Sequence, residues 1–170
     1  MKDYINHIIE TIAAHSADFV NAGLTPPATI DIYLGQPTRP EEFEFALPAV
    51  FIDYSADYDN GTFDLVLHVV QDFGADTENY APQRNMGLGF ITFLSVLKKC
   101  LYGLKMLPVF KPLRLYQELP MSPDFFYYHL ITLRCNFDTD LYCESGRYID
   151  VEPVIPVLED GRLKTTTEGL

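Results

Sequence analysis

The residues with chemistry to offer are few and scattered along the chain. There are four histidines, His7, His15, His68 and His129, and none falls in an H-E-x-x-H or comparable ligand spacing. His68 and His129 both lie in strand-like runs, where a sheet would make them neighbours. They are read as ordinary, partly buried histidines rather than metal ligands. The run Asp53-Tyr54-Ser55-Ala56-Asp57-Tyr58-Asp59-Asn60-Gly61 has the outline of a calcium loop. The match fails in detail: with Asp57 first, Thr62 stands sixth where the loop needs glycine, and no glutamate stands twelfth. The run reads instead as a solvated hairpin tip. Gly87 and Gly89 precede a helical pattern, but with no third glycine and no preceding strand they do not form a dinucleotide loop. No nucleophile elbow and no P-loop occur. Cys100, Cys135 and Cys143 form no C-x-x-C pair and are expected as reduced, buried thiols. The expectation is therefore no catalytic residue, no metal and no cofactor. With 24 acidic residues, a carboxylate pair assembled only in three dimensions stays open.

A different kind of signal lies in the charge order. Between Arg39 and Arg84 no basic residue occurs, while Glu41, Glu42, Glu44, Asp53, Asp57, Asp59, Asp64, Asp72, Asp76 and Glu78 do. From Asn79 to Gln117 no acid occurs, while Arg84, Lys98, Lys99, Lys105, Lys111 and Arg114 do. Two readings follow. Either the segments neutralise each other within one chain, or the acidic segment of one subunit meets the basic segment of the next, head to tail. On the second reading the interface candidates are Asp53, Asp57 and Asp59 on one side and Lys98, Lys99 and Lys105 on the other.

The elements that must position these residues are legible from apolar periodicity. Residues 3–20 read as a helix, with Ile5, Ile8, Ile9, Ile12 and Phe19 on one stripe and Gly23 as its stop before Pro26 and Pro27. Ile30–Leu34 reads as a short strand and 35–47 as a loop. Ala49–Tyr54 and Thr62–Val70 read as a hairpin around Asn60-Gly61, which supplies the positive φ a tight turn needs. A second helix is expected from Gly87 or Gly89 to Tyr102. Its apolar residues, from Phe90 to Leu104, span roughly 160° of the helix face, with Thr92, Ser95, Lys98 and Lys99 opposite. Leu113–Leu119 is an expected edge strand. Phe125–Phe137 is a long strand after a turn at Ser122-Pro123-Asp124. Ile149–Leu158 is a strand limited to an edge by Pro153 and Pro156. The expected fold is α+β, a mainly antiparallel sheet with two long helices packed on one face. Residues 1–158 would form one domain and 159–170 a loose tail.

The 170 residues, nearly half of them apolar, suffice for a core without disulfides or metals. A net charge of −12 disfavours binding to a nucleic-acid backbone as the main task. No apolar run would span a bilayer, and the N-terminus does not read as a secretory signal. The expected location is the compartment of synthesis, or a particle assembled there.

Taken together, the amphipathic first helix, the Pro-led strand Leu47-Pro48-Ala49-Val50-Phe51-Ile52, the partner strand Phe63–Val70, the long helix Phe90–Leu104 and the late strands around Phe126–Phe137 resemble the tail terminator, or tail-completion, proteins of long-tailed bacteriophages and prophages. The resemblance covers roughly residues 3–140, and is one of element order and hydrophobic pattern, without an invariant motif. It implies a ring of identical subunits, hexameric in that family. The ring would cap the tail tube, touching tail-tube protein on one side and head connector on the other, with DNA passing through the lumen. It implies host cytoplasm during assembly and then the virion tail, with no membrane partner and no catalytic residue. The segment after 140 departs from the pattern. The competing readings are an enzyme or small-ligand-binding protein whose site forms only in three dimensions, for which strands such as Phe125-Phe126-Tyr127-Tyr128 would line a pocket, and a ring component for head closure or the injection machine.

Overall fold

The computed structural model describes residues 2–72, 84–105, 110–121 and 126–139, and the backbone alone of 84–86, 158–159 and 162–163. The chain divides into two compact units, 1–139 and 140–170. In the second unit, strands β6 (Leu158–Glu159) and β7 (Arg162–Leu163) pair antiparallel. The strand expected over Ile149–Leu158, save Leu158 itself, the turn at Ser122-Pro123-Asp124 and most of the expected tail lie outside the described residues.

The first unit is α+β. Its elements run α1 (Lys2–Ala14), α2 (Ser16–Asn21), β1 (Thr29–Ile32), β2 (Ala49–Asp57), β3 (Thr62–Asp72), α3 (Arg84–Leu101), β4 (Arg114–Met121) and β5 (Phe126–Asn136). The five strands form one sheet in the order β1-β2-β3-β5-β4. Only β1 with β2 is parallel; the other pairs are antiparallel. Among the described residues, no helix is long and apolar enough to cross a membrane.

The expected single helix over 3–20 is two. At His15 the backbone N–H is shared between the carbonyls of Thr11 and Ile12, the ladder breaks, and α2 restarts. The break lets Phe19 bury completely against Phe93 of α3, ring centroids 4.8 Å apart. Glycine ends α2 as expected: Gly23 has φ +74, its N–H donates to the carbonyl of Val20, and the N–H of Leu24 donates to that of Phe19. This pair of hydrogen bonds is the Schellman arrangement, which satisfies carbonyls the helix leaves open. Helix α3 starts at Arg84, ahead of Gly87 and Gly89, because neighbouring turns outweigh the weak propensity of single glycines.

Alternation explains the core. Phe63, Leu65, Leu67 and Val69 of β3 project to one side and are fully buried. Their neighbours Ile131, Leu133 and Cys135 on β5 share that side through the register. The other side is buried only near one end, where Ala49, Phe51, Val70 and Tyr128 pack beneath Tyr33, Phe45, Leu47, Phe126 and Leu130. Part of this cover comes from the 33–47 segment. Gln36 helps hold it: its side-chain amide donates to the Ile32 carbonyl, and its oxygen accepts from the Leu34 N–H. Burial of 49–52 on both sides follows, and the alternating pattern of the sequence could not have shown it.

The β2–β3 turn has four residues, 58–61, and only its last needs glycine. Gly61 has φ +57, and a β-carbon there would sit 2.6 Å from the Phe137 carbonyl oxygen. The backbone carbonyl cannot retreat easily, since the Phe137 N–H donates to the Gly61 carbonyl at 2.8 Å. Gly61→Ala is therefore expected to cost about 1–3 kcal/mol through strain and clash together. At Gly23 nothing lies within 4 Å of the added carbon, so Gly23→Ala carries only the left-handed penalty of about 1–2 kcal/mol. Urea unfolding of the two variants checks the order; a smaller loss at Gly61 than at Gly23 would contradict it.

Candidate assembly surface

The acidic side is built on the β2–β3 hairpin. Asp53 and Asp57 alternate with Tyr54 and Ala56, and the register places them on the same side as Asp64 and Val66. That is the side opposite the Phe63–Val69 core. Asp57 holds the turn: its carboxylate accepts from the backbone N–H groups of Asp59 and Asn60 and from the Asn60 side-chain amide. The Asn60 side chain, and after it the Asn60 backbone, keep this carboxyl below the usual range. Asp53 accepts from the Tyr54 N–H, and Asp59 stands exposed on the loop. The acidic run thus works as a self-capped hairpin tip, as its sequence suggested.

The basic side is built on α3 and the chain after it. Lys98 donates to Glu118 of β4 at 2.6 Å. Lys99 and Lys105 are exposed. Beside Lys98 and Lys99, Tyr102 and Leu115 line an almost apolar cleft of about 340 Å³.

Among the described residues, none of the ion pairs joins the acidic 41–78 segment to the basic 84–114 segment. Asp64 is instead met by Arg134 of β5 in a bidentate pair, both bonds 2.6 Å. The Arg134 guanidinium also lies over the Tyr116 ring, 3.5 Å from its centre. Glu42 pairs locally with Arg39. Arg134, Glu118 and Tyr116 escaped the sequence reading, since only register brings them to Asp64 and Lys98.

Strand β4 is the second feature of this surface. All eight of its residues are exposed, and among the described residues no strand pairs with its outer edge. Tyr116, Leu119 and Met121 are large apolar groups left in solvent there. Pro120 and the irregularity between Leu115 and Gln117 limit simple strand addition along it.

The two strand histidines do not form a site together. His68 stands opposite Leu130, and His129 opposite Val69. They lie on adjacent strands one residue out of step, so their side chains leave opposite faces. His68 stacks on Tyr33, ring centroids 3.6 Å apart, and its Nδ1 meets the Tyr128 hydroxyl. Burial pushes its pKa down to about 4, against the opposing pull of the Asp53 charge. His129 lies near Phe90, and burial likewise lowers its pKa, with Glu118 opposing and Lys98 assisting. Each imidazole is therefore neutral near pH 7 and acts as a packing group.

No protein-family model matches the chain, and no curated protein matches it either.

Proposed function

We propose that the chain is an assembly subunit of the tail-terminator type, forming a ring that caps a phage tail tube and joins it to the head connector. The observation that supports this best is that, among the described residues, the acidic and basic segments do not pair with each other. Acids at Asp53, Asp57 and Asp59 and bases at Lys99 and Lys105 are left without mutual ion pairs, as complementary patches on neighbouring subunits would be. Because the two patches differ, the contact is heterologous, and heterologous contacts close into rings when the rotation per subunit divides the circle.

In this reading both long helices cover one face of the sheet. The placement is supported by Tyr4 of α1 standing edge-on to Phe63 and by Phe90 of α3 stacking on Tyr127. Phe63 and Tyr127 share a side by register. The acidic end of the opposite side, beyond the cover of the 33–47 segment, would then serve a subunit contact or face the lumen, where negative charge keeps passing DNA from adhering. The subunit would act in the host cytoplasm during assembly and afterwards in the virion tail, with tail-tube and connector proteins as its partners and no reaction of its own.

Lys98 is a poor probe because its reversal would also break the Glu118 pair, so the test uses Lys99→Glu with Lys105→Glu. With co-produced tube protein, the double reversal is expected to abolish the ring by light scattering and electron microscopy, while thermal melts stay unchanged. Asp53→Lys with Asp59→Lys, both exposed and with side chains outside the Asp57 cap, should restore it. Added salt should weaken the unmodified ring, since rim charges are screened beyond about 8–10 Å at 0.1–0.15 M ionic strength. A ring that forms equally well with both lysines reversed would overturn the proposal.

A further inference from the structure

Where α1 breaks, three side chains of different donor type converge with α3. His15, Asp18 and Cys100 each bring one donor atom to within 4.8 Å of the other two. His15 Nδ1 lies 2.6 Å from an Asp18 carboxylate oxygen, and these two side chains are 43 % and 55 % exposed, free to re-aim. Cys100 is buried, its thiol donating to the Val96 carbonyl. The three line a cleft of about 440 Å³ together with Asn21, Val96 and Lys99.

Imidazole, carboxylate and thiolate are the donor set of zinc, with bonds of about 2.0–2.3 Å. A tetrahedron of such bonds places its donors about 3.3–3.8 Å apart. The histidine and aspartate must spread by less than 1 Å, and the widest separation must close by about 1 Å. These changes fall to His15 and Asp18, whose side chains are partly exposed, while Cys100 stays buried.

We propose that this corner binds one Zn²⁺ per chain through His15, Asp18 and Cys100, with water from the cleft in the fourth position. Binding exchanges the His15–Asp18 hydrogen bond for two metal bonds and releases the Cys100 thiol proton to solvent. Without a cation, burial and then the Asp18 charge push that thiol up to about 11. The cation's own charge reverses this preference, so affinity must fall as pH is lowered and the thiolate and imidazole reprotonate. Lys99 at the cleft rim works against the cation, and its long stem lets the ammonium turn outward to water. The metal would tie the α1–α2 corner to α3. The proposal replaces the sequence-based expectation of no metal. It does not depend on ring formation.

The test uses the full chain, stripped with chelator and titrated with Zn²⁺ alone by calorimetry, and with Co²⁺ as an absorbing substitute. One cation per chain, a raised melting temperature and a near-ultraviolet thiolate-to-cobalt band are expected. Cys100→Ser should remove the band. His15→Ala and Asp18→Asn, both at exposed positions, should each lower affinity at least tenfold, the lower end of what loss of even an outer-shell partner costs. They keep the test decisive should Cys100→Ser fold poorly. Absence of stoichiometric binding, a cobalt complex without the thiolate band, or binding that survives both His15→Ala and Asp18→Asn would overturn the proposal.

Discussion

Leu67→Ala and Leu97→Ala are each expected to lower the unfolding free energy by about 2–5 kcal/mol. Both side chains are fully buried, one at the centre of β3 and the other on α3. Leu67 lies between Ile52 of β2 and Ile131 of β5, both themselves buried. Truncation there removes apolar contact and leaves a cavity that flanking strands, held by ladder hydrogen bonds on both sides, cannot collapse to fill. Leu97 sits one turn from Phe93 and Leu94 and one turn from Cys100 and Leu101, all buried. The exposed α3 residue Ile91 supplies the control: Ile91→Ala should stay within about 0.5 kcal/mol of the parent. Chemical denaturation decides. Losses below about 1 kcal/mol for both leucines would mean that the core lies elsewhere.

Acid is the second large lever. His68 is buried between Tyr33 and Tyr128, with its folded pKa lowered from 6.5 to about 4. The folded form therefore favours neutral imidazole. Its stability is fully present above pH 6.5 and is lost progressively as pH falls from 6.5 toward 4, where the unfolded chain binds a proton that the folded chain refuses. The loss attributable to this group is on the order of 3 kcal/mol, levelling off below about pH 4. His68→Gln keeps a polar group opposite the Tyr128 hydroxyl but cannot titrate, so its stability curve should be flatter over that window. Denaturant melts of both proteins at pH 7, 5.5 and 4 measure the difference. Parallel curves would show that His68 is not the titrating group.

The differences between pattern and structure have physical causes that can be named. The stripe Ile5, Ile8 and Ile12 marked the buried face of α1, yet Tyr4 joins it, because its ring meets Phe63 and Phe110. Nothing in the local sequence marks that meeting. The hairpin was legible at Asn60-Gly61, but its loop is two residues longer than the tightest turn, because Asp57 caps it from the strand end. The adjacency of His68 and His129 followed from two strand assignments, whereas their faces depended on a register that shifts by one between plausible pairings. The His15–Asp18–Cys100 cluster was invisible for a stronger reason: His15 and Asp18 are local neighbours, but Cys100 lies on α3, far along the chain, and only tertiary packing brings it to them.

What the sequence alone determined is the local grammar of this protein: apolar periods of 3.6 and 2, the glycine stop at Gly23, the hairpin at Gly61, and the order of charge along the chain. These depend on steric and hydrophobic preferences that act within a few residues. What only the tertiary structure decided is which side chains share a face. It placed β5 between β3 and β4, brought Arg134 to Asp64 and Lys98 to Glu118, and folded the 33–47 segment over the second face of the sheet. Each of these depends on strand order and register, which are set by the total burial of apolar surface across distant segments and so cannot be read from any one of them.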